Sequence, residues 1–208
     1  MLLPHFSPAA DRNKQAILDV LRQVLPPHGH ALEIASGTGQ HVAWFAEGLS
    51  AWTWQPTDVS PESMSDIASW VAAQGLPNVY PPVVLDVMSP AWLPAGQQVD
   101  LVYCANMLHI APWASCAALM QGSTRHLAPG GQLVTYGPYF ERDVPTSEGN
   151  LAFDQRLRAQ DPAWGIRQLE AVVQVAAQAG LQLHTRHALP ANNLLLTWTL
   201  AASSQASL

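Results

Sequence analysis

From Ala31 onward, short apolar runs alternate with stretches whose apolar residues recur at helical spacing, and this alternation constrains the fold most. The runs Ala31–Ala35, Ala51–Thr57, Val83–Val87, Val99–Ala105 and Gln132–Tyr136 read as strands. Between them, Val42, Phe45, Ala46 and Leu49 share one helical stripe, as do Met64, Ile67, Ala68 and Val71, and then Trp113, Cys116, Ala117, Met120 and Leu127. Ile166, Leu169, Val173 and Ala176 mark a last helix, stopped by Gly180. Parallel neighbours need a long crossover, which a helix supplies, so the pattern predicts a doubly wound α/β sheet with helices on both faces. The last two strands, Leu181–Leu189 and Leu194–Leu200, have only Pro190-Ala191-Asn192-Asn193 between them. A turn that short makes the final strand antiparallel. The expected fold is therefore Rossmann-like, with seven strands, mostly parallel and antiparallel at the end. An N-terminal helix over 11–25 precedes it, halted by Pro26-Pro27, and Ser60-Pro61 reads as an N-cap and first helical residue. A single domain over 1–208 is expected, its last residues from Ala201 fraying.

Charge narrows the partners. Lys and Arg total 9 against 15 Asp and Glu, a net charge of −6, and the cations are scattered. Binding to nucleic acid or to an anionic membrane needs a clustered positive footprint, so neither is expected. The N-terminus Met1–His5 lacks the charged and apolar regions of a signal peptide, and no apolar run nears membrane-spanning length. A cytoplasmic protein is expected. Cys104 and Cys116, in a strand and a helix, read as free core thiols. No metal is expected: there is no H-E-x-x-H and no paired cysteine pattern, and His184 and His187 point to opposite faces of a strand. Ser36-Gly37 lacks the G-x-S-x-G elbow of a serine nucleophile.

The chemistry-bearing stretch is Leu32-Glu33-Ile34-Ala35-Ser36-Gly37-Thr38-Gly39-Gln40-His41, a strand entering a glycine turn and then a helix. Glycines at such a turn let a ligand approach the backbone closely. The dinucleotide fingerprint requires a third small residue, but Val42 stands there, which disfavours an NAD-dependent oxidoreductase. Asp58, ending the second strand, is placed to accept from both hydroxyls of a ribose, or else to cap the next helix. Ligands of open α/β sheets bind beyond the carboxyl ends of the strands, where Asn106 and His109 fall. His109 is a candidate general base, or an orienting group or cap. Tyr136 and Tyr139 flank the end of the fifth strand, to wall a substrate, face a cation or fill the core. Asn192 and Asn193 bind substrate or simply make their turn.

The acidic strand end and glycine loop resemble the cofactor signature of class I methyltransferases. That resemblance implies that Glu33, Ala35, Ser36, Gly37, Gly39, Asp58, Asp86 and Asn106 bind S-adenosylmethionine, Asp86 by accepting from the adenine amino group. Ala35 stands where many such proteins carry the first glycine, a change its small size tolerates. Seven ordered pieces are further similar to one family, the methyltransferase-like 26 family. They are Ser7–Asn13, Leu32–His41, Trp54–Asp58, Asn106–Ile110 with Pro112-Trp113, Tyr136–Tyr139, Asp161–Arg167 and Pro190–Asn193.

The resemblance implies methyl transfer to an unidentified acceptor, expected to be a small molecule, with His109 and Tyr139 as candidate catalytic residues. Asn13, Tyr136, Asn150, Asn192 and Asn193 are candidate substrate residues. A non-catalytic binding module of the same fold fits the same sequence. The polar stretch 139–163 is long for a connection without a role, which suggests a lid over the acceptor. A surface excursion with its own short helix, Ala152–Gln160, is the alternative. Oligomeric state is left open.

Overall fold

The computed structural model describes residues 5–202. The expectations of no leader over Met1–Pro4 and of fraying beyond Ala202 fall outside the described residues. In order the elements are α1 (Pro8–Val24), β1 (Gly29–Ile34), α2 (Gln40–Gly48), β2 (Trp52–Asp58), α3 (Ser63–Gln74), β3 (Val83–Val84) and β4 (Val99–Ala105). They continue with α4 (Ala114–His126), β5 (Leu127–Phe140), α5 (Glu148–Gln160), β6 (Arg167–Gln168), α6 (Leu169–Gln178), β7 (Leu181–Leu189) and β8 (Asn193–Leu200).

The strands lie in the order β3-β2-β1-β4-β5-β8-β7, with short β6 added against β5. Every pair is parallel except those of β8, which runs antiparallel to both β5 and β7. The expected mixed sheet is thus the observed one. Burial on both faces explains why its central strands read as unbroken apolar runs. Along β4, Leu101 and Tyr103 enter one core with Ile17 and Leu21 of α1 and Phe45 of α2. Val102 and Cys104 enter the other, with Leu119 and Met120 of α4, Val172 of α6 and Trp198. Trp52, Trp54 and Trp198 are all fully buried, and both cysteines are buried and free.

Several boundaries differ from the pattern. Helix α1 starts at Pro8 rather than residue 11, because Ser7 caps it, its Oγ accepting from Ala10 N at 3.3 Å. Ser60 does not cap α3. It begins a turn closed by Ser63 N to Ser60 O, and the helix starts two residues after Pro61. Strand β3 has only two residues: Leu85 N still donates to Asp58 O, but the chain then turns at Asp86. As the uncovered edge, β3 leaves Val83 and Val84 exposed. Strand β5 runs on to Phe140, because Gly137 and Pro138 still pair with Leu194 and Asn193. The polar stretch after it is mostly helix: α5 begins at Glu148, capped by the Ser147 hydroxyl, and is longer than the short helix considered.

Candidate active site

A cleft of about 1160 Å³ opens at the carboxyl ends of β1, β4 and β5. The N-terminal turns of α1 wall it on one side, α5 and the β7–β8 turn on the other. Four non-glycine residues among those described have positive φ: Ala35 (57°), Asn106 (59°), Ala191 (60°) and Asn192 (53°). All four line this cleft. A left-handed conformation costs an alanine roughly 1–2 kcal/mol, and such strain concentrates at ligand sites.

The floor is the glycine loop. Ser36 N donates to Thr57 O at 2.8 Å, while Thr57 N donates back to Ser36 Oγ at 3.1 Å, locking the loop to the end of β2. Asp58 accepts Gly37 N on Oδ2 at 2.9 Å and Ser60 N on Oδ1 at 3.0 Å. A carboxylate has about four acceptor positions, so capacity remains for a ligand. Gly37 lines the cleft with φ +57°, and a Cβ built there meets nothing within 4 Å. Any side chain would project into open space at the loop, which is where a ligand needs bare backbone. Gly39 works differently: its Cβ would lie 2.7 Å from Ile67 Cα, so its role is to let α3 pack closely. It does not line the cleft.

Behind the loop Glu33 is 1% exposed, with Oε2 unpartnered, and it pairs in register with Tyr103, whose buried hydroxyl is also unpartnered. Burial pushes its carboxyl up to about 7, against the Ser36 hydroxyl, which lowers it, and with the Asp58 charge adding to the rise. Asp86 is the residue whose surroundings differ most from expectation. It lies after β3 in an exposed turn, Oδ1 accepting Met88 N at 2.9 Å, rather than at a buried strand end.

The α1 wall brings Asn13 to His41 and Tyr136. Asn13 Oδ1 accepts from His41 Nε2 at 2.7 Å. Burial holds the His41 imidazole down to about 4, with Lys14 adding to this, so the ring is neutral and stacks on Phe45 at 5.2 Å. Tyr136 lines the cleft, its hydroxyl raised by burial and lowered by the Asn13 amide and the Arg12 charge. Gln40 accepts from Ser7 N and from Thr38 Oγ1, tying the start of α1 to the glycine loop. His41 was not singled out from the sequence, although its place in the first turn after the loop was a usable signal.

Asn106 and His109 lie on the segment after β4. Asn106 N donates to Tyr136 O at 2.8 Å. A Cβ on Gly137 would lie 3.4 Å from His109 Nδ1 and 3.8 Å from Asn106 Oδ1, so this bare strand position borders both groups. Burial, then the Arg167 charge, bring the His109 imidazole down to about 4. The segment is held from outside: Arg167 donates to Leu108 O at 2.8 Å, Ala111 O at 2.6 Å and Ala163 O at 2.9 Å, and lies 5.5 Å over Trp113. Gly165 N donates to His109 O at 2.9 Å. The piece Asp161–Arg167 thus clamps the segment that carries His109.

Tyr139 is not brought into the cleft. Its hydroxyl donates to Thr135 Oγ1 at 3.0 Å within the core, and burial raises it. Asn150, Asn192 and Asn193 all line the cleft, and Asn150 Nδ2 donates to Asn192 O at 3.2 Å, joining α5 to the β7–β8 turn. Phe153, which the sequence did not flag, meets the His109 ring edge-on at 5.4 Å. Among the described residues no three His, Cys, Asp or Glu side chains gather as metal ligands, and no helix is long and apolar enough to cross a membrane.

Solved structures share this fold. An O-methyltransferase family protein from Burkholderia thailandensis superposes with a TM-score of 0.78 over 94% of this chain and 58% of its own, at 18% identity. An O-methyltransferase family 2 protein from Planctomyces limnophilus, in complex with apigenin, gives 0.73 over 89% and 61%, at 17% identity. Human N-acetylserotonin methyltransferase, in complex with S-adenosylmethionine, gives 0.75 over 93% and 53%, at 14% identity. The chain spans less than two thirds of each. The fold is the class I methyltransferase fold. The chain belongs to the family described as "Protein of unknown function (DUF938)", whose model matches residues 4–200.

Proposed function

We propose that the protein is an S-adenosylmethionine-dependent methyltransferase acting on a small molecule, in one methyltransferase-like domain, as the resemblance to the methyltransferase-like 26 family implies. The observation that carries the reading is the open backbone at Gly37, held by Asp58 and facing a cleft where every positive-φ non-glycine residue described is gathered. The fit is chemical as well as spatial: the loop offers bare backbone, and Asp58 keeps free acceptor positions beside it for ribose hydroxyls. Asn106 borders the same floor. Exposed Arg12, which lines the cleft from the first turns of α1, would hold the cofactor's carboxylate. Asp86, in its exposed turn, stays available to an adenine amino group.

Bound there, S-adenosylmethionine supplies an electrophilic methyl carbon on sulfur. The chain's task is to align the acceptor and exclude water. Tyr136, Asn150 and Asn192 orient it. His109, neutral at physiological pH, accepts a proton from an acceptor that must lose one. Helix α5 forms the acceptor-side cover. The test is a thermal-shift and calorimetric panel with S-adenosylmethionine, S-adenosylhomocysteine, NAD and NADP, since a ligand of the native state stabilises it by mass action. The expected result is stabilisation by the first two alone. Stabilisation by NAD alone would replace the reading with an oxidoreductase. Labelled methyl donor and a metabolite extract then separate enzyme from binding module.

A further inference from the structure

We infer that the methyl acceptor carries an anionic group, a carboxylate or a phosphate, and that Arg156 on α5 binds it. The inference rests on the methyltransferase reading above and adds the substrate class to it.

The first observation is the distribution of charge. The chain carries 15 acidic side chains against 9 Lys and Arg, yet the carboxylates nearest the cleft, Asp58 and Glu33, are buried behind the glycine loop rather than in its lining, while Arg12 and Arg156 both line it. An acidic protein whose cleft is lined by cations and amides concentrates positive potential there, which favours anions and speeds their capture. A sulfonium in the same space adds to that potential.

The second is the face of α5. Asn150, Phe153 and Arg156 recur at helical spacing and all line the cleft. Asn150 is tied to the β7–β8 turn, and Phe153 meets the His109 ring at 5.4 Å. The Arg156 guanidinium lies 5.7 Å from the Phe153 ring, which orients it without consuming its donors. Elsewhere Lys14, Arg22, Arg158 and Arg186 each face a carboxylate. Among the described residues Arg156 has no such partner. Its neighbour Arg158 is held by Asp154, so the same helix uses one arginine for its own structure and presents another to the cleft.

Arg12 is assigned above to the cofactor's carboxylate, which leaves Arg156 for a second anion. A guanidinium can grip a carboxylate or phosphate with two parallel N–H donors, fixing orientation as well as position. The chain Arg156–Phe153–His109 would then place the remote anionic group at one end and the proton-accepting imidazole at the other. An apolar or aromatic body lies between them, against Phe153 and Ile110.

The test uses the full chain saturated with S-adenosylhomocysteine, titrated calorimetrically at low ionic strength with benzoate, phenyl phosphate and the uncharged analogue benzamide. The expected result is that one or both anions bind at least about tenfold more tightly than benzamide, and that added salt erodes the preference. Their ranking decides between carboxylate and phosphate. Arg156→Gln should abolish the preference and leave the S-adenosylhomocysteine Kd within about twofold, and Arg156→Lys should retain part of it. Arg156 is exposed on a helix, so the variants keep the wild-type melting profile. Benzamide binding as tightly as both anions, or a preference that survives in Arg156→Gln, overturns the inference while leaving the cofactor reading intact. Failure of S-adenosylhomocysteine itself to bind is a different result: it overturns the methyltransferase reading and the inference with it.

Discussion

Arg167 offers the sharpest check on how the site is held. Its guanidinium gives three hydrogen bonds to main-chain carbonyls and lies over Trp113, and two of those carbonyls, Leu108 and Ala111, flank His109. Arg167→Met keeps most of the aliphatic volume and removes every donor. A half-buried charged donor contributes roughly 1 kcal/mol per bond, below the fully buried figure because water competes. With about 0.5 kcal/mol for the ring contact, the loss is about 3.5 kcal/mol. For a chain of this length that lowers Tm by about 7–14 °C. Arg167→Lys keeps the charge but not the fork, so its loss should be intermediate. Differential scanning calorimetry gives the stability, and hydrogen exchange gives the location: residues 106–113 should exchange faster in the Met variant, with β1 and β2 unchanged. A Met variant melting within a degree of wild type, with unaltered exchange in 106–113, would refute the clamp.

Gly37→Val should abolish S-adenosylhomocysteine binding while leaving a folded protein, because the added side chain meets no protein atom but fills the ligand's space. Retained binding in calorimetry would make the glycine a turn residue only. Burial sets two opposed pH effects. His41 and His109, held down to about 4 against an ordinary 6.5, stabilise the fold above pH 6.5 and lose that contribution as pH falls toward 4. Glu33, pushed up to about 7 from 4.5, contributes fully below pH 4.5 and loses its contribution as pH rises through 7. Glu33→Gln should therefore raise stability at pH 8 by roughly 1–3 kcal/mol in urea unfolding and give no gain at pH 4.5. Equal effects at both pH values would contradict the burial argument. Asn150→Ala should leave cofactor affinity near wild type and reduce turnover several-fold, with faster hydrogen exchange in α5. Undiminished turnover and unchanged exchange would make α5 a bystander. Asp154 is unsuitable for this purpose, since it holds Arg158 and Ile166 N rather than the cleft.

The sequence by itself determined the class of fold, because its signals are local. Strands buried on both faces leave apolar runs, helices leave stripes, and a four-residue turn between two strands admits only an antiparallel pair. The glycine loop, with Asp58 after the second strand, was legible for the same reason. Chain ends of elements were read less well where a side chain decides them at short range: Ser7 caps α1 one turn earlier than the apolar stripe begins, and Ser60 makes a turn where a cap was expected.

What only the tertiary structure decided depends on groups distant in the chain. Whether a tyrosine near the end of β5 faces the cleft or the core is a matter of pleat and register, so Tyr136 lines the site and Tyr139 bonds Thr135 behind it. The meeting of Asn13 with His41, of Phe153 with His109 and of Arg167 with the carbonyls of Leu108 and Ala111 joins segments that no spacing rule connects. Two glycines at the sheet ends also differ by context. Gly37 lines the cleft with open space around it and a positive φ, whereas a Cβ on Gly137 would stand in ordinary contact with His109 and Asn106. Periodicity reports which face a residue takes on its own element; what lies opposite that face is decided by packing, and the chemistry of this cleft resides in those pairings.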